Sequence, residues 1–597
     1  MKTQYKTLFS LLWGLFLFIS IFPSFANEKT PPLDEDLKYI YSDLQTSNYQ
    51  YFENKIIISR NWSETEAAYD WCIKRGNVYY VENVSFDGEN IDYSFYIEDT
   101  RENFVIQNSR INDSDSGFAG LHLQNVSNGI IRDCELIDNY GTNLRIFSSD
   151  NITVLNNHIA NSFDHGIRIT VSNSSKIDGN TITNNEDYGI YMQQDLNVSV
   201  TNNKLHNNQA AGITISLTNQ SIFLGNRFTQ HSNNIIESNT QDNIIMGNSF
   251  EGQYDSIQID ASGANGINWE QATLAHWCNG TGTWNDPFII GGLYLNATED
   301  YALKIANNNY TLVIKDNTIF NSSLFGLELQ NCNNSIVRNN YIFDCGITGI
   351  LLEQGCFHNL INNNNVTLSH RGIKLRNSHY NEISECFFYN TSENGIIIQY
   401  SPYNNITDNR VIDNENGLGL EDSNYLVIKD NFIKNNNKWG IVLYDKMDHT
   451  EISQNIIINN SDYGIEIYNA NCDHNLIWNN SLINNTVDAF DRGTDNSWNS
   501  TTIGNFYSSY LGKDANDDGV GDTPHPIQGS ANSNDSIPIW WDAPSITLST
   551  PLPNQVFGTN APEIELSVIE GIYDTVWYSL NESGDNFCSS LNEGIDQ

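Results

Sequence analysis

The chain has 597 residues, with 72 Asp and Glu against 29 Lys and Arg, a formal net charge of −43. No basic stripe is present to neutralise phosphates, which argues against a nucleic-acid partner. Nine cysteines in a chain this long are too few, and odd in number, for a disulfide scaffold.

The N-terminus reads as a secretory signal over residues 1–26. Lys2 and Lys6 precede an almost wholly apolar run from Leu8 to Ile21, and Pro23-Ser24-Phe25-Ala26 supplies small residues for cleavage. The run is short for a membrane span, and no other run of about 20 apolar residues follows. A secreted or surface location is therefore expected, with no membrane span beyond the signal. Dense Asn-x-Ser/Thr sequons, among them Asn61, Asn125, Asn321 and Asn405, would make the chain a glycoprotein in a host that modifies them.

Residues 27–60 form a polar lead-in. Residues 61–260 and 261–500 then read as the same unit built twice. Each opens on a pair of tryptophans, Trp62 and Trp71 in the first and Trp269 and Trp277 in the second, around a short helix-forming stretch. Ser63 and Glu66 match a capping box. These segments are expected to cap the open end of a stacked core. The alternative is an aromatic sugar-binding platform made of the same four tryptophans.

After each cap the sequence keeps a fixed beat. Gly326, Gly349, Gly372, Gly395, Gly417, Gly440 and Gly464 recur every 22–24 residues, each followed by an apolar-x-apolar pair such as Ile350/Leu352. Gly120, Asn143, Gly166, Gly189, Gly212, Asn234 and Ser256 keep the same period earlier. Each repeat carries three short alternating runs separated by Asn- and Gly-rich turns, and none has the pattern of an amphipathic helix. Three strands and three turns per repeat predict one coil of a parallel β-helix, so the fold class is all-β solenoid. Asn and Gly tolerate the left-handed backbone region, and this tolerance would let Asn143 and Asn234 replace the repeat glycine. About fifteen coils at roughly 4.8 Å give a rod on the order of 70 Å long.

These coils, over residues 84–530, resemble the right-handed β-helix repeats of carbohydrate-binding and sugar-hydrolase domains and of NosD-like periplasmic proteins. The segment at 501–543, with Gly504-Asn505-Phe506-Tyr507, resembles the closing piece of NosD-like proteins, with Tyr507 where a Trp is usual. Residues 544–597 alternate as strands and resemble the start of an immunoglobulin-like domain, whose sandwich needs about 100 residues.

Chemistry is sparser than fold. Asp514, Asn516, Asp518, the carbonyl of Val520, and Asp522 fall at alternate positions around Gly519, the spacing of an EF-hand-type calcium loop; His525 stands where its bidentate Glu is expected. A solvated acidic turn is the other reading. Asp164-His165 precedes Gly166, with Arg168 on the following strand, and these three are the catalytic candidates. Arg168 and Lys374 each lie between two apolar residues and so face outward, and Glu328, Glu353, Lys374, Glu421 and Glu466 could share an outer face. Cys134 and Cys386 read as small buried hydrophobes, and Cys332 and Cys356 are in register one coil apart, where a disulfide is one reading. The resemblance to NosD-like proteins implies copper; four Met and no His/Met/Cys cluster argue against it.

Taken together, a non-catalytic rod that binds glycans or surface partners is expected. The alternative is a polysaccharide lyase, hydrolase or epimerase working on the outer face, and the third reading is a copper-maturation accessory role.

Overall fold

The computed structural model describes residues 50–52, 55–516, 518–540, 546–550 and 565–568. The signal segment, Asp517 and most of the immunoglobulin-like segment lie outside these. Within that last segment, strands Ile546–Thr550 and Glu565–Val568 pair antiparallel.

The chain winds as a right-handed parallel β-solenoid of about 19 turns with almost no helix. At about 4.8 Å per turn this is roughly 90 Å, longer than the count of repeat glycines implies. Each turn lays one strand on each of three walls. The first wall is an eight-stranded sheet from Ile56–Ser59 to Ile235–Ser238, then a separate ten-stranded sheet from Ile257–Asp260 to Val487–Asp491. The second wall breaks in the same way, after Ile244–Met246. The third is one 20-stranded sheet that passes the break through a hairpin, Ser249–Phe250 with Gln253–Tyr254, and Tyr254 then pairs with Leu295. The two coil sets are thus joined on one wall only.

Inward positions are filled by β-branched and Leu side chains. In the coil from Gly166, Ile167, Ile169, Ile177 and Ile182 are wholly buried. Each contributes about 1.5–3 kcal/mol of apolar transfer.

Paired asparagines in the turns have two roles. Asn184 sits in the left-handed region at φ 55°, while its neighbour Asn185 points inward and is fully buried. The inward asparagines stack into ladders. Asn157, Asn180, Asn203 and Asn226 each donate to the Oδ1 of the next coil's Asn at 2.9–3.0 Å, ending on Asn248. Asn409, Asn431, Asn455 and Asn480 do the same in the second set, ending on Asn505. A second bond from each amide to a backbone carbonyl satisfies the buried group.

The repeat glycines are not in the left-handed region. They are required by close stacking: a Cβ at Gly166 would lie 2.7 Å from the carbonyl oxygen of Gly189, and one at Gly417 2.2 Å from that of Gly440. Asn143 likewise does not substitute through left-handed tolerance. Its side chain joins an inward ladder, accepting from Asn139 and donating to Asn185.

Helix α1 (Trp62–Ala68) and helix α2 (Trp269–Ala272) begin the two sets. The N-cap of α1 is Asn61, with no side-chain cap, so Ser63 and Glu66 do not form a capping box. Ser63 bonds the Tyr79 hydroxyl, and Glu66 accepts the Lys74 N–H. The capping box is instead in α2, between Asn268 and Gln271.

Candidate functional site

All four cap tryptophans are 2–5% exposed. Trp62 stacks on Tyr79 and Phe104, and its indole N–H donates to Thr100. Trp269 stacks on Phe288 at 4.2 Å and donates to Asn308. Trp277 donates to the Gly247 carbonyl, plugging the end of the first coil set. Trp71 packs edge-on to Phe86. None offers a face to a sugar, so the platform reading is corrected to core packing.

The acidic loop folds on its own backbone. The Asp514 carboxylate accepts the N–H groups of Asp518 and Gly519, Asp518 accepts that of Val520, and Asp522 accepts that of Ala515. Asn516 donates to Asp518. Cys332 and Cys356 lie one coil apart as buried free thiols, with the Cys332 N–H directed at the Cys356 sulfur at 3.4 Å. Cys134 and Cys386 are buried.

The outward candidates split into two rows. Glu328, Lys374 and Glu466 share the row two residues after the repeat glycine, whereas Glu353 and Glu421 lie on the next outward row. The first row has a different composition in the first coil set. There the strands Phe95–Glu98, Leu121–Gln124, Leu144–Phe147, Ile167–Thr170 and Tyr188–Gln193 stack in register, so that Tyr96, His122, Arg145, Arg168 and Tyr191 follow one another on adjacent rungs. Arg145 and Arg168 are half-buried, their Nε atoms are fully covered, and no described residue accepts a hydrogen bond or forms an ion pair with either guanidinium. Arg168 lies over the Tyr191 ring at 5.4 Å and Arg145 over Phe147 at 5.7 Å. His122 packs at a tilt against Tyr93 and Tyr96, and both its ring nitrogens are buried without a partner. Burial, helped by the Arg145 charge, pushes His122 down to about 4, so it is neutral beside the arginines.

Beside this row, Asp164 and Asp187 occupy the same slot, two residues before Gly166 and Gly189, and both face His165. Nδ1 of His165 lies 3.3 Å from Asp164 Oδ1 and 3.2 Å from Asp187 Oδ2, yet neither contact is aligned as a hydrogen bond. Thr142 donates to the other oxygen of Asp164 at 2.8 Å. The His165 ring stacks on Tyr191 at 5.1 Å. Burial lowers the His165 pKa despite the two carboxylates, and burial raises that of Asp187. The three sequence candidates Asp164, His165 and Arg168 therefore do share one place. Arg145, His122, Tyr191 and Asp187 complete it, and a column-by-column alignment of the repeats would have exposed them.

The family described as "Periplasmic copper-binding protein (NosD)" matches residues 284–391 and 356–512, and "Right handed beta helix region" matches 67–228 and 156–287. No curated protein matches. Solved structures similar to the chain include the periplasmic alginate epimerase AlgG (10% identity over 76% of this chain and 85% of that one, TM-score 0.22). Others are the enzymatically active domain of bacteriophage CBA120 tailspike protein 2 (10%, 41% and 43%, 0.30) and DFA-IIIase from Arthrobacter chlorophenolicus A6 without its lid (12%, 51% and 69%, 0.19). No helix of the described residues is long and apolar enough to cross a membrane. With stacked parallel coils throughout and both family matches falling on them, the chain is a parallel β-helix repeat protein whose second coil set matches the NosD family.

Proposed function

We propose that the chain is a non-cytoplasmic binding rod that takes an extended anionic glycan along the first wall of its first coil set. One observation carries this reading. Arg145 and Arg168 stand on adjacent rungs with no carboxylate partner, in a chain with 72 acidic residues. Two like charges on strands about 4.8 Å apart repel, and an external carboxylate or sulfate would relieve that with bidentate bonds. The repeating rung supplies partners at a repeating distance, which suits a polymer.

The test is electrophoresis through native gels containing polygalacturonate or neutral dextran. The wild type should be retarded by polygalacturonate alone, and Arg145→Ala/Arg168→Ala should run free. Equal migration of the wild type in both gels would overturn the reading.

A second reading is catalysis on the same face, favoured by the stacking of His165 on Tyr191 beside Arg168. A base, a phenol and a guanidinium that neutralises the carboxylate are what proton abstraction from a uronate ring requires. Unsaturated product from a polyuronate, lost in His165→Ala, would support it; binding without any product or epimer change would remove it.

A further inference from the structure

The geometry points to a divalent-metal site at Asp164, His165 and Asp187. Three ligand atoms, Asp164 Oδ1, His165 Nδ1 and Asp187 Oδ2, all lie within 4.8 Å of one another. The two nitrogen–oxygen distances are 3.3 and 3.2 Å. A metal with ligands at about 2.0–2.2 Å in tetrahedral geometry separates them by about 3.4 Å. The gap thus has the size of a small cation, whereas a hydrogen bond would need alignment that neither contact has.

His165 supplies an independent observation. It is 6% exposed, its Nδ1 is buried without a hydrogen-bond partner, and that nitrogen is directed at both carboxylates. A buried imidazole nitrogen left unpartnered costs free energy unless something fills the place. The carboxylates are themselves held in position. Thr142 fixes the second oxygen of Asp164, and the Asp187 N–H donates to the Asp164 carbonyl. The outer bond from Thr142 is the kind of support metal ligands receive.

The donor set defines the metal class. One imidazole and two carboxylates suit a borderline cation of the zinc type, while an all-oxygen shell would suit calcium and thiolates or thioethers would suit Cu(I). With three protein ligands and both aspartates about 40% exposed on the outer face, a fourth position opens to solvent, as in sites that take an exchangeable ligand. The neighbouring Arg168 opposes a cation, and the two aspartate charges outweigh it. The proposal is independent of the glycan reading.

The test is competition of the full chain against a chromophoric chelator with Zn2+ as probe. One site should stand out above the weak background of an acidic surface. His165→Gln and Asp187→Asn should each weaken it 10- to 100-fold, while Asp178→Asn and His474→Gln, which lie elsewhere, should leave it unchanged. Circular dichroism of each variant guards against misfolding, and if His165→Gln fails to fold, Asp187→Asn decides. Zn2+ binding of wild-type strength in a folded His165→Gln or Asp187→Asn variant, or no site above background in the wild type, would overturn the proposal.

Discussion

The two coil sets share a fold and differ in how they treat the same outward row. In the first set the row reads Tyr96, His122, Arg145, Arg168, Tyr191, and its two cations are unpaired. In the second, Lys304 pairs with Glu328 at 2.8 Å, and Glu466 pairs with Arg492 at 3.2 Å. Between them come Leu351, Ile397 and Val442, outward yet buried, with Gly419 and a single lone cation, Lys374, set between Leu351 and Ile397. The second set also carries a groove lined by Glu393, Glu421, Tyr444, Asp445 and Tyr468, an acidic lining that repels anions. The turns differ too. Tyr380, Tyr403, Tyr425, His449 and His474 all hold positive φ and stack ring on ring at 4.9–5.3 Å, where the first set uses Asn128, Asn151 and Asn197. Aromatic stacking, about 0.5–1.5 kcal/mol per pair, offsets a backbone region that bulky residues disfavour. The lesson is that period and inward residues fix the solenoid, while outward slots are free to carry opposite electrostatics.

The sharpest way to erase the difference is Arg168→Glu. It places a carboxylate opposite Arg145, copying the Lys304–Glu328 pair. Two charge-assisted contacts at about 1.5–3 kcal/mol each are lost, so polygalacturonate affinity should fall about 100-fold or more. Isothermal titration checks this, and Lys374→Ala in the second set should leave affinity unchanged.

Cutting an asparagine ladder should hurt both sets alike. Asn203→Leu or Asn431→Leu strands buried amide groups above and below, costing about 2–4 kcal/mol in denaturant unfolding. A cost in one set only would mean that the ladders are not equivalent.

Titration should separate the sets again. Burial pushes Asp195 up to about 7, while the matching slot in the second set holds neutral Cys332, Ser378 and Ser401. Folded Asp195 keeps its proton where the unfolded chain has released it, from about pH 4 upward. Its contribution is therefore full below pH 4 and lost as pH rises to 7. Melting temperature should drop between pH 4 and pH 7, and Asp195→Asn should flatten that drop. The smallest effect expected is from calcium at the 514–522 loop, which on our reading stiffens the end of the rod. Millimolar Ca2+ should raise the melting temperature by a few degrees, worth about 1 kcal/mol, and Asp514→Asn should remove the rise.

The solenoid was legible because a parallel rung imposes one period on every wall, and Gly326 to Gly464 display it. The reason for those glycines was not, since contact with the next coil's carbonyl is a property of stacking and not of local conformation. Asn143 conceals its role for the same reason, since it joins a ladder between coils. At the site, Asp164, His165 and Arg168 were visible as a local motif. Arg145 and Asp187 were not, because their proximity is set by a 23-residue offset along the sequence. The tryptophans Trp62, Trp71, Trp269 and Trp277 were ambiguous in sequence, because exposure depends on which open end they cover.

Hydrogen exchange measured by mass spectrometry, with and without an oligogalacturonate, tests the central claim most directly. Protection should rise over residues 121–124, 144–147, 167–170 and 188–193 and stay unchanged over 325–330, 348–353 and 371–376. Protection confined to the second set, or none in either, would contradict the account.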